Sequence, residues 1–168
     1  MLKEEFSFAK PTDTSRLFYM YMEKAKWFMD KGIDQWDVDY IRTVYTEDRI
    51  LRHIENNNYF VLKISGEIVA ACLFIDECDK WPTREPHCMF VDRLVSSKSG
   101  AGHMLLNYII EYCKKLGVRK IKLDCQDHND KLKKYYFDFG FIEAGTVEHK
   151  YFPKRYSCLM YYEIASVK

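Results

Sequence analysis

Apolar and polar residues in the first third of the chain follow two spacings, one extended and one helical. Phe6–Ala9 is typical of a short strand, and Pro11-Thr12-Asp13 supplies the proline and polar residues that begin a helix. Apolar side chains then recur every three or four residues as far as Lys31-Gly32, where the glycine favours a helix end. The same spacing predicts a second helix over about residues 41–55.

Two strands and a polar loop are predicted next. Tyr59–Ile64 and Ile68–Ile75 are rich in β-branched and aromatic side chains, and Ser65-Gly66 between them is typical of a hairpin turn. A polar loop follows at residues 76–86.

The second half of the chain alternates strands with helices. The patterns predict helices over Gly102–Leu116 and Asp130–Phe139, and strands over Cys88–Val95, Arg119–Cys125, Phe141–Val147 and Ser157–Glu163. The first of these helices has an apolar stripe made of Met104, Leu105, Tyr108, Ile109, Tyr112 and Leu116. A strand, a helix and a second strand in this order predict a parallel, right-handed crossover.

Composition limits the class of protein. A chain of 168 residues suits one domain over residues 1–168, and its formal net charge of +1 does not favour a nucleic-acid partner. The N-terminus lacks the apolar core of a secretory signal, and no apolar run reaches membrane-spanning length. We therefore expect a soluble, cytoplasmic protein with no nucleic-acid or membrane partner.

Basic residues nonetheless cluster in three places: Lys114-Lys115, Arg119-Lys120-Lys122 and Lys131-Lys133-Lys134. Such clusters are typical of the solvated face of a helix, and equally of a positive rim around a polyphosphate. The sequence leaves both interpretations open.

The six cysteines do not form a recognisable metal motif. They stand at positions 72, 78, 88, 113, 125 and 158, without a C-x-x-C pair, and four lie in strand-like apolar runs. We expect reduced, mostly core-filling side chains. Cys125 with His128, and His87 with Cys88, lack zinc-finger spacing, so no metal is predicted.

The loop Ser97–Gly102 stands between a predicted strand and a predicted helix. Its small residues and two glycines let the backbone approach a ligand closely, and the helix N-terminus offers N–H groups to an anion. The loop therefore predicts a phosphate site. Taken alone, Gly100-x-Gly102 is also typical of an ordinary tight turn.

A longer pattern narrows the choice of phosphate compound. Asn129-x-x-Leu132-x-x-Tyr135-Tyr136-x-x-x-Gly140-Phe141 resembles the GNAT superfamily of acetyl-CoA-dependent N-acetyltransferases, whose usual form has Ala in place of Leu132 and Leu in place of Tyr135. Further segments are similar to members of this superfamily, the last of them to small bacterial ones: Arg93-Leu94-Val95, Gly100–Leu106, Leu123-Asp124-Cys125 and Trp27–Trp36.

The resemblance covers nearly the whole chain, with the specific motifs in residues 93–141. It implies an α/β (mixed α+β), GNAT-like fold, whose central, mostly antiparallel sheet of about six to seven strands is flanked by about four helices. It also implies an acyltransferase that uses acetyl-CoA as co-substrate and no metal.

The resemblance further implies which residues bind CoA. Leu94 and Val95 would offer main-chain groups to the pantetheine arm and the acetyl carbonyl. Asn129 would hydrogen-bond the arm, although it is equally typical of the N-cap of the last helix. The pyrophosphate would be bound by backbone N–H groups, aided by the helix dipole, of Lys98, Ser99, Gly100, Ala101, Gly102 and His103.

The loop departs from the family pattern in one respect. Most members carry Arg or Gln at the position of Ser97 and have a longer connection, whereas Lys98 is the only cation of this loop. Backbone amides do most of the pyrophosphate binding, so we expect weaker CoA binding and not its loss.

Catalytic roles are also implied by the resemblance. Tyr136 would protonate the leaving thiolate, because a phenol with a reference pKa of about 10 is protonated at neutral pH. Its neighbour Tyr135 is expected in the core. Asp92 is the first choice for the base that takes the proton of the amine, and an ion pair with a nearby Lys or Arg is the alternative.

The acceptor site is predicted against the first two helices. The predicted aromatic wall comprises Trp27, Trp36, Tyr40 and Trp81, and negative charge for a small cationic amine would come from Asp34, Asp37 and Asp39. Asp76 is predicted to bind the same substrate. Aromatic residues at helical spacing are also typical of a core, and acidic loops of a solvated surface.

We therefore expect an N-acetyltransferase that moves the acetyl group of acetyl-CoA to a primary amine by direct attack in a ternary complex. Two alternatives stay open: an acyl-CoA-binding regulatory domain with weak or no catalysis, and a peptide or protein acetyltransferase. The protein would act as a monomer or a homodimer, and an exposed last strand would be free to pair across such a dimer.

Overall fold

The computed structural model describes residues 2–81, 84–150 and 152–165. In chain order the elements are β1 (Glu4–Phe8), a 3-10 turn (Pro11–Asp13), α1 (Thr14–Asp30), α2 (Val38–Thr43), α3 (Glu47–Glu55), β2 (Tyr59–Ile64), β3 (Glu67–Ile75), β4 (Cys88–Ser96), α4 (Ala101–Leu116), β5 (Lys120–Gln126), α5 (Asp130–Phe139), β6 (Ile142–Glu148) and β7 (Tyr156–Glu163). The strands lie in one sheet in the order β1-β2-β3-β4-β5-β7-β6. This confirms the predicted mixed α/β fold.

The chain divides into two compact units. The N-terminal unit comprises the chain up to Leu73 together with Arg93–Leu105, and the C-terminal unit comprises Phe74–Asp92 together with the chain from Leu106 onward. Strands β3 and β4 and helix α4 each contribute residues to both units.

The N-terminal unit contains an antiparallel arrangement of β1, β2 and β3. At the turn between β2 and β3, Ser65 has φ +52° and Gly66 has φ +84°, and two consecutive positive values are what the tight hairpin turns that match strand twist require. The predicted hairpin is confirmed. Helix α1 contacts α2 and α3 and buries Leu17 and Tyr21 completely.

The single helix predicted over residues 41–55 is wrong, because the chain forms two helices there, which brings the number of α-helices among the described residues to five. Thr46 adopts an extended conformation, with φ −74° and ψ 165°, and its carbonyl accepts the N–H groups of Arg49 and Ile50 to begin α3. Acidic residues in the first turn of α3 favour a helix start at this point. The break leaves Tyr45 fully buried.

In the C-terminal unit, β7 pairs antiparallel with both β5 and β6. The last strand is therefore interior, and the prediction that it is exposed for pairing across a dimer is wrong; β6 lies at this end of the strand order. Strand β4 runs parallel to β5, with Cys88–Phe90 opposite Lys120–Lys122, which confirms the predicted parallel pairing.

The buried face of α4 differs from the predicted stripe. Leu116 is 56% exposed, whereas Leu106, Ile110 and Cys113 are buried together with Leu105 and Ile109. Two adjacent columns of side chains face inward, so the buried face is wider than the predicted stripe and centred about one residue further along. Within the part of the chain that the structure describes, no helix combines the length and the apolar character needed to cross a bilayer.

Candidate active site

Backbone hydrogen bonds hold both ends of the loop between β4 and α4. The Ser97 N–H donates to the Val69 carbonyl over 2.9 Å, and the Ala101 N–H donates to the Lys98 carbonyl over 3.2 Å. Gly100 has φ +79°, a conformation that side chains other than glycine rarely adopt, and a Cβ there would meet no atom within 4 Å. The loop thus turns sharply into a sixteen-residue helix, and the first N–H groups of that helix follow directly after the loop.

The cation of this loop has a carboxylate neighbour. Lys98 Nζ lies 3.7 Å from Glu67 Oε2, and Arg16 approaches the other oxygen of the same carboxylate at 3.7 Å. Lys98 and Glu67 are both more than half exposed, so water and salt screen this attraction. The Lys98 ammonium can therefore leave Glu67 for a phosphate at little cost.

Arg93 interrupts the extended course of β4 just before the two residues predicted to contact pantetheine. Its φ is +53°, while Leu94 and Val95 continue the strand. A residue in the left-handed conformation inside a strand bends it and re-aims the main-chain groups that follow. Sequence reasoning missed this feature, because arginine is not among the residues enriched at positive φ.

Three buried tyrosines lie behind this bend. The Tyr21 hydroxyl donates to the Arg93 carbonyl over 2.6 Å and lies 2.8 Å from the Tyr59 hydroxyl, which in turn contacts the Tyr45 hydroxyl. Burial raises the pKa of Tyr21 and of Tyr59 well above the usual value, so both phenols stay protonated. The Arg93 guanidinium stacks on the Tyr45 ring at 3.9 Å and donates to the Tyr40 hydroxyl.

The predicted aromatic wall is only partly assembled. Trp36 packs edge-on against Tyr21 at 5.4 Å and belongs to the edge of the core, as does Tyr40, whose ring faces Arg93. Trp27 is 45% exposed, and Lys24 Nζ lies over its ring at 5.0 Å. Cations of the chain itself therefore lie over the rings of Tyr40 and Trp27.

Asp76 belongs to the C-terminal unit and is exposed. Its carboxylate lies 3.8 Å from Arg84, which also pairs with Glu77 at 2.8 Å. All three side chains are at least two-thirds exposed, which is the solvated-loop interpretation that the sequence left open.

Asp92 lies in an electrostatic cluster on the C-terminal unit. Lys80 Nζ donates to Asp124 Oδ2 over 2.8 Å, and burial opposes the charge of Lys80, yet the carboxylates of Asp124 and Asp92 outweigh it and raise the pKa of Lys80. Asp124 thus anchors the polar loop between β3 and β4. The cluster contains the ion-paired environment that was the alternative for Asp92.

His149, which follows β6, is a residue that sequence reasoning missed. Burial lowers the pKa of His149, and the positive charge of Lys80 lowers it further. Its imidazole is therefore neutral at pH 7. Nδ1 of His149 is buried and, among the residues that the structure describes, makes no hydrogen bond. No local motif marks His149, because Lys80 and Asp124, whose charges act on it, come from distant parts of the chain.

Helix α5 carries Asn129 and Tyr136. Asn129 Oδ1 accepts the Leu132 N–H over 3.1 Å, so its predicted N-cap role is confirmed, while its amide NH₂ keeps two donors for another partner. Tyr136 is 6% exposed and packs edge-on against Tyr135 and Phe141. Tyr135 is only half-buried, and burial raises its pKa.

A possible ligand cluster elsewhere in the C-terminal unit already has a cation. Asp127, Glu143 and Cys158 bring ligand atoms within 4.8 Å of one another, but Lys133 Nζ lies 3.4 Å from Asp127 Oδ1. Burial, aided by Glu143, raises the pKa of Cys158 to about 11. A protonated thiol beside an ammonium group is a poor metal ligand. All six cysteines are free thiols, and five of them are buried.

Most of the clustered lysines are ion-paired. Carboxylates lie within 4.0 Å of Lys114, Lys120, Lys122, Lys133 and Lys134. This pairing favours a neutralised surface over a positive rim around a polyphosphate.

The geometry can be compared with known proteins. A sequence model of the acetyltransferase (GNAT) family matches residues 15–141. No curated protein matches the chain. Many solved structures share its fold.

Three solved structures illustrate the likeness. PaiA N-acetyltransferase of Thermoplasma acidophilum, in complex with coenzyme A, has a TM-score of 0.75 at 14% identity, covering 96% of this chain and 99% of that one. The putative acetyltransferase yncA of Salmonella typhimurium, with acetyl-CoA, has a TM-score of 0.70 at 15% identity, covering 98% and 95%. The ribosomal-protein-S18-alanine N-acetyltransferase of Escherichia coli has a TM-score of 0.67 at 16% identity, covering 99% and 97%. At these identities the likeness concerns the fold.

Proposed function

This chain belongs to the acetyltransferase (GNAT) family, and on that premise we propose that it is a cytoplasmic N-acetyltransferase that moves the acetyl group of acetyl-CoA to a primary amine. The observation that carries the proposal is the family match over residues 15–141, which includes both the β4–α4 loop and α5. We propose one acyltransferase domain over residues 1–168, acting without a metal, as a monomer or a homodimer.

The residues present fit a CoA pyrophosphate. Gly100 opens the loop, the N-terminus of α4 supplies N–H donors and a favourable dipole, and Lys98 adds a mobile positive charge. We assign the pyrophosphate to the backbone of Lys98–His103. The pantetheine arm is assigned to the main chain of Leu94 and Val95 and to the Asn129 amide.

The thioester of acetyl-CoA supplies an acyl carbon that a neutral amine attacks directly. The new C–N bond forms as the C–S bond breaks, and the electron pair of that bond leaves on sulfur. We assign Tyr136 to donate its phenolic proton to the departing thiolate, because a phenol is protonated at neutral pH and this one is held in a buried position.

The amine loses a proton during the same reaction, and we assign Asp92 to accept it. A carboxylate accepts such a proton directly or through one water molecule. Asp92 interacts electrostatically with the Lys80 ammonium and raises its pKa, so its carboxylate lies in a charged environment within the C-terminal unit.

The acceptor is proposed to be a small amine that contacts Trp27, Trp36, Tyr40 and Asp76. A peptide N-terminus is the second candidate, and the fold shared with the ribosomal-protein-alanine N-acetyltransferase favours including it in any screen.

Two measurements test the proposal. Calorimetry of the purified protein with acetyl-CoA should give saturable binding, and absence of binding at millimolar concentration would contradict the cofactor assignment. Release of CoA thiol in the presence of amines and short peptides, with products identified by mass spectrometry, should then reveal an acceptor. Binding without turnover on any acceptor would favour the regulatory alternative.

A further inference from the structure

We propose that Tyr21 is a positioning residue for the acetyl-CoA site, acting through the backbone of Arg93. Its hydroxyl would hold the left-handed conformation of Arg93 and thereby aim the main-chain groups of Leu94 and Val95 at the pantetheine arm. This inference rests on the proposed function, which assigns those two residues to the cofactor.

Arg93 adopts a backbone conformation that its surroundings must enforce. At φ +53° the arginine side chain is crowded against its own backbone, and such conformations persist only where the surroundings enforce them. Arg93 therefore needs an anchor that an extended residue of β4 would not need.

The anchor of Arg93 is the Tyr21 hydroxyl. Tyr21 is fully buried on α1, and its hydroxyl donates to the Arg93 carbonyl over 2.6 Å. Since a phenol has one proton, Tyr21 must accept the bond that it shares with Tyr59, and Tyr59 must in turn accept from Tyr45. All three bonds thus point toward the Arg93 carbonyl, and hydrogen bonds aligned in one direction reinforce one another.

Tyrosine rings also hold the side chain of Arg93. Its guanidinium stacks on the Tyr45 ring at 3.9 Å and lies 5.2 Å from the Tyr40 ring. The carbonyl and the side chain of Arg93 are thereby both held by tyrosines. Together, these contacts to the carbonyl and to the side chain oppose the backbone rotation that would return Arg93 to an extended conformation.

The consequence concerns the residues that follow. Successive residues of a strand face opposite ways only while the backbone is extended, so a return of Arg93 to φ near −120° would turn the main-chain groups of Leu94 and Val95 away from their present direction. The strand would still form, but its offered donors and acceptors would be misdirected.

The test compares Tyr21→Phe with Tyr45→Phe. Each variant removes one buried hydroxyl from the same network, but only Tyr21→Phe removes the bond to the Arg93 carbonyl. We expect the Kd for acetyl-CoA to rise about five- to tenfold in Tyr21→Phe, the range that follows from losing one buried hydrogen bond, and to change less than twofold in Tyr45→Phe. The KM for the acceptor should stay unchanged in both, and thermal unfolding reports any shared loss of stability.

Equal Kd values in the two variants would overturn the positioning role. Failure of the wild-type protein to bind acetyl-CoA would instead overturn the proposed function. A second comparison separates the positioning role of Tyr21 from a general loss of stability. Glycine accepts positive φ without strain, so adding Tyr21→Phe to Arg93→Gly should raise the Kd less than twofold relative to Arg93→Gly alone. A five- to tenfold rise in that background would show that Tyr21 acts by another route, and would also overturn the proposal.

Discussion

The Lys80 ammonium lies 2.8 Å from the Asp124 carboxylate and joins two segments of the C-terminal unit that are 44 residues apart in the chain. The field of Asp92 also raises the pKa of Lys80, so one ammonium group serves two carboxylates. Asp124 takes a direct hydrogen bond from this ammonium, and Asp92 is the carboxylate of the cluster that we assign to proton transfer.

Replacing Asp92 with Asn should therefore lower kcat about 100-fold or more, because the amide cannot accept a proton from the amine. The KM for acetyl-CoA should change little. Steady-state kinetics against pH, with an acceptor found in the screen, measures both. Asp79→Asn is the matched control, since Asp79 is an exposed carboxylate adjacent to Lys80 in the loop between β3 and β4. Similar kcat values in Asp92→Asn and wild type would remove Asp92 from the mechanism.

Tyr136→Phe should lower kcat about 100-fold while leaving the Kd for acetyl-CoA within about twofold, because only the phenolic proton is lost. The adjacent Tyr135 provides the control: Tyr135→Phe removes a hydroxyl from the half-buried neighbour and should leave kcat unchanged within about twofold. Pre-steady-state measurement of thiol release separates the chemical step from product release. Full activity in Tyr136→Phe would assign protonation of the thiolate to another group or to water.

Gly100→Ala should weaken acetyl-CoA binding about tenfold and destabilise the protein by about 1 kcal/mol, because alanine disfavours φ +79° although its Cβ would meet no atom within 4 Å. Gly117 is a matched control, since it has φ +69° and equally open surroundings but lies at the end of α4. Calorimetry and thermal unfolding of both alanine variants should show a similar loss of stability and a loss of acetyl-CoA affinity in Gly100→Ala alone. An equal effect on affinity would disconnect the β4–α4 loop from the cofactor.

Local patterns were sufficient for most of the fold because helix ends and turns depend on residues close in the chain. Gly140 ends α5 with φ +118°, and Asn129 caps its start, as their positions in the sequence predict. The conformation of Arg93 could not be predicted in the same way. It depends on a hydroxyl 72 residues away, and arginine carries no local preference for positive φ.

The same distinction between local and distant contacts applies to the candidate site. The β4–α4 loop and α5 are local motifs and could be found from their spacing. The surroundings of Tyr40 and Asp92 could not, because Arg93 and Lys80 approach them from segments 53 and 12 positions away in the chain. Tertiary packing decided which cation meets which ring or carboxylate.

The pH dependence of stability offers a separate prediction at Glu85. Hydrogen bonds from Lys120 and Lys122, each of 2.8 Å, lower the pKa of Glu85 to about 2. Lys122 is only 2% exposed, so Glu85 is the counter-ion of a buried ammonium group that also lies 4.4 Å from the Trp81 ring. Because the folded pKa lies below the ordinary value of 4.5, this stabilisation is complete above about pH 4.5 and is lost as the pH falls toward 2.

Glu85→Gln should accordingly lower the free energy of unfolding at pH 7 by about 1 kcal/mol, a figure kept small because the carboxylate is 41% exposed and therefore screened by solvent. The difference between wild type and variant should shrink steadily as the pH falls from 4.5 toward 2, because the Glu85 carboxylate becomes protonated over this range. Thermal unfolding at a series of pH values measures it. Glu77→Gln removes a carboxylate whose partner Arg84 is 72% exposed, and it should change the melting temperature by less than about 1 °C at any pH. A Glu85→Gln deficit that stays constant down to pH 2 would mean that the side chain stabilises the fold through packing and not through its charge.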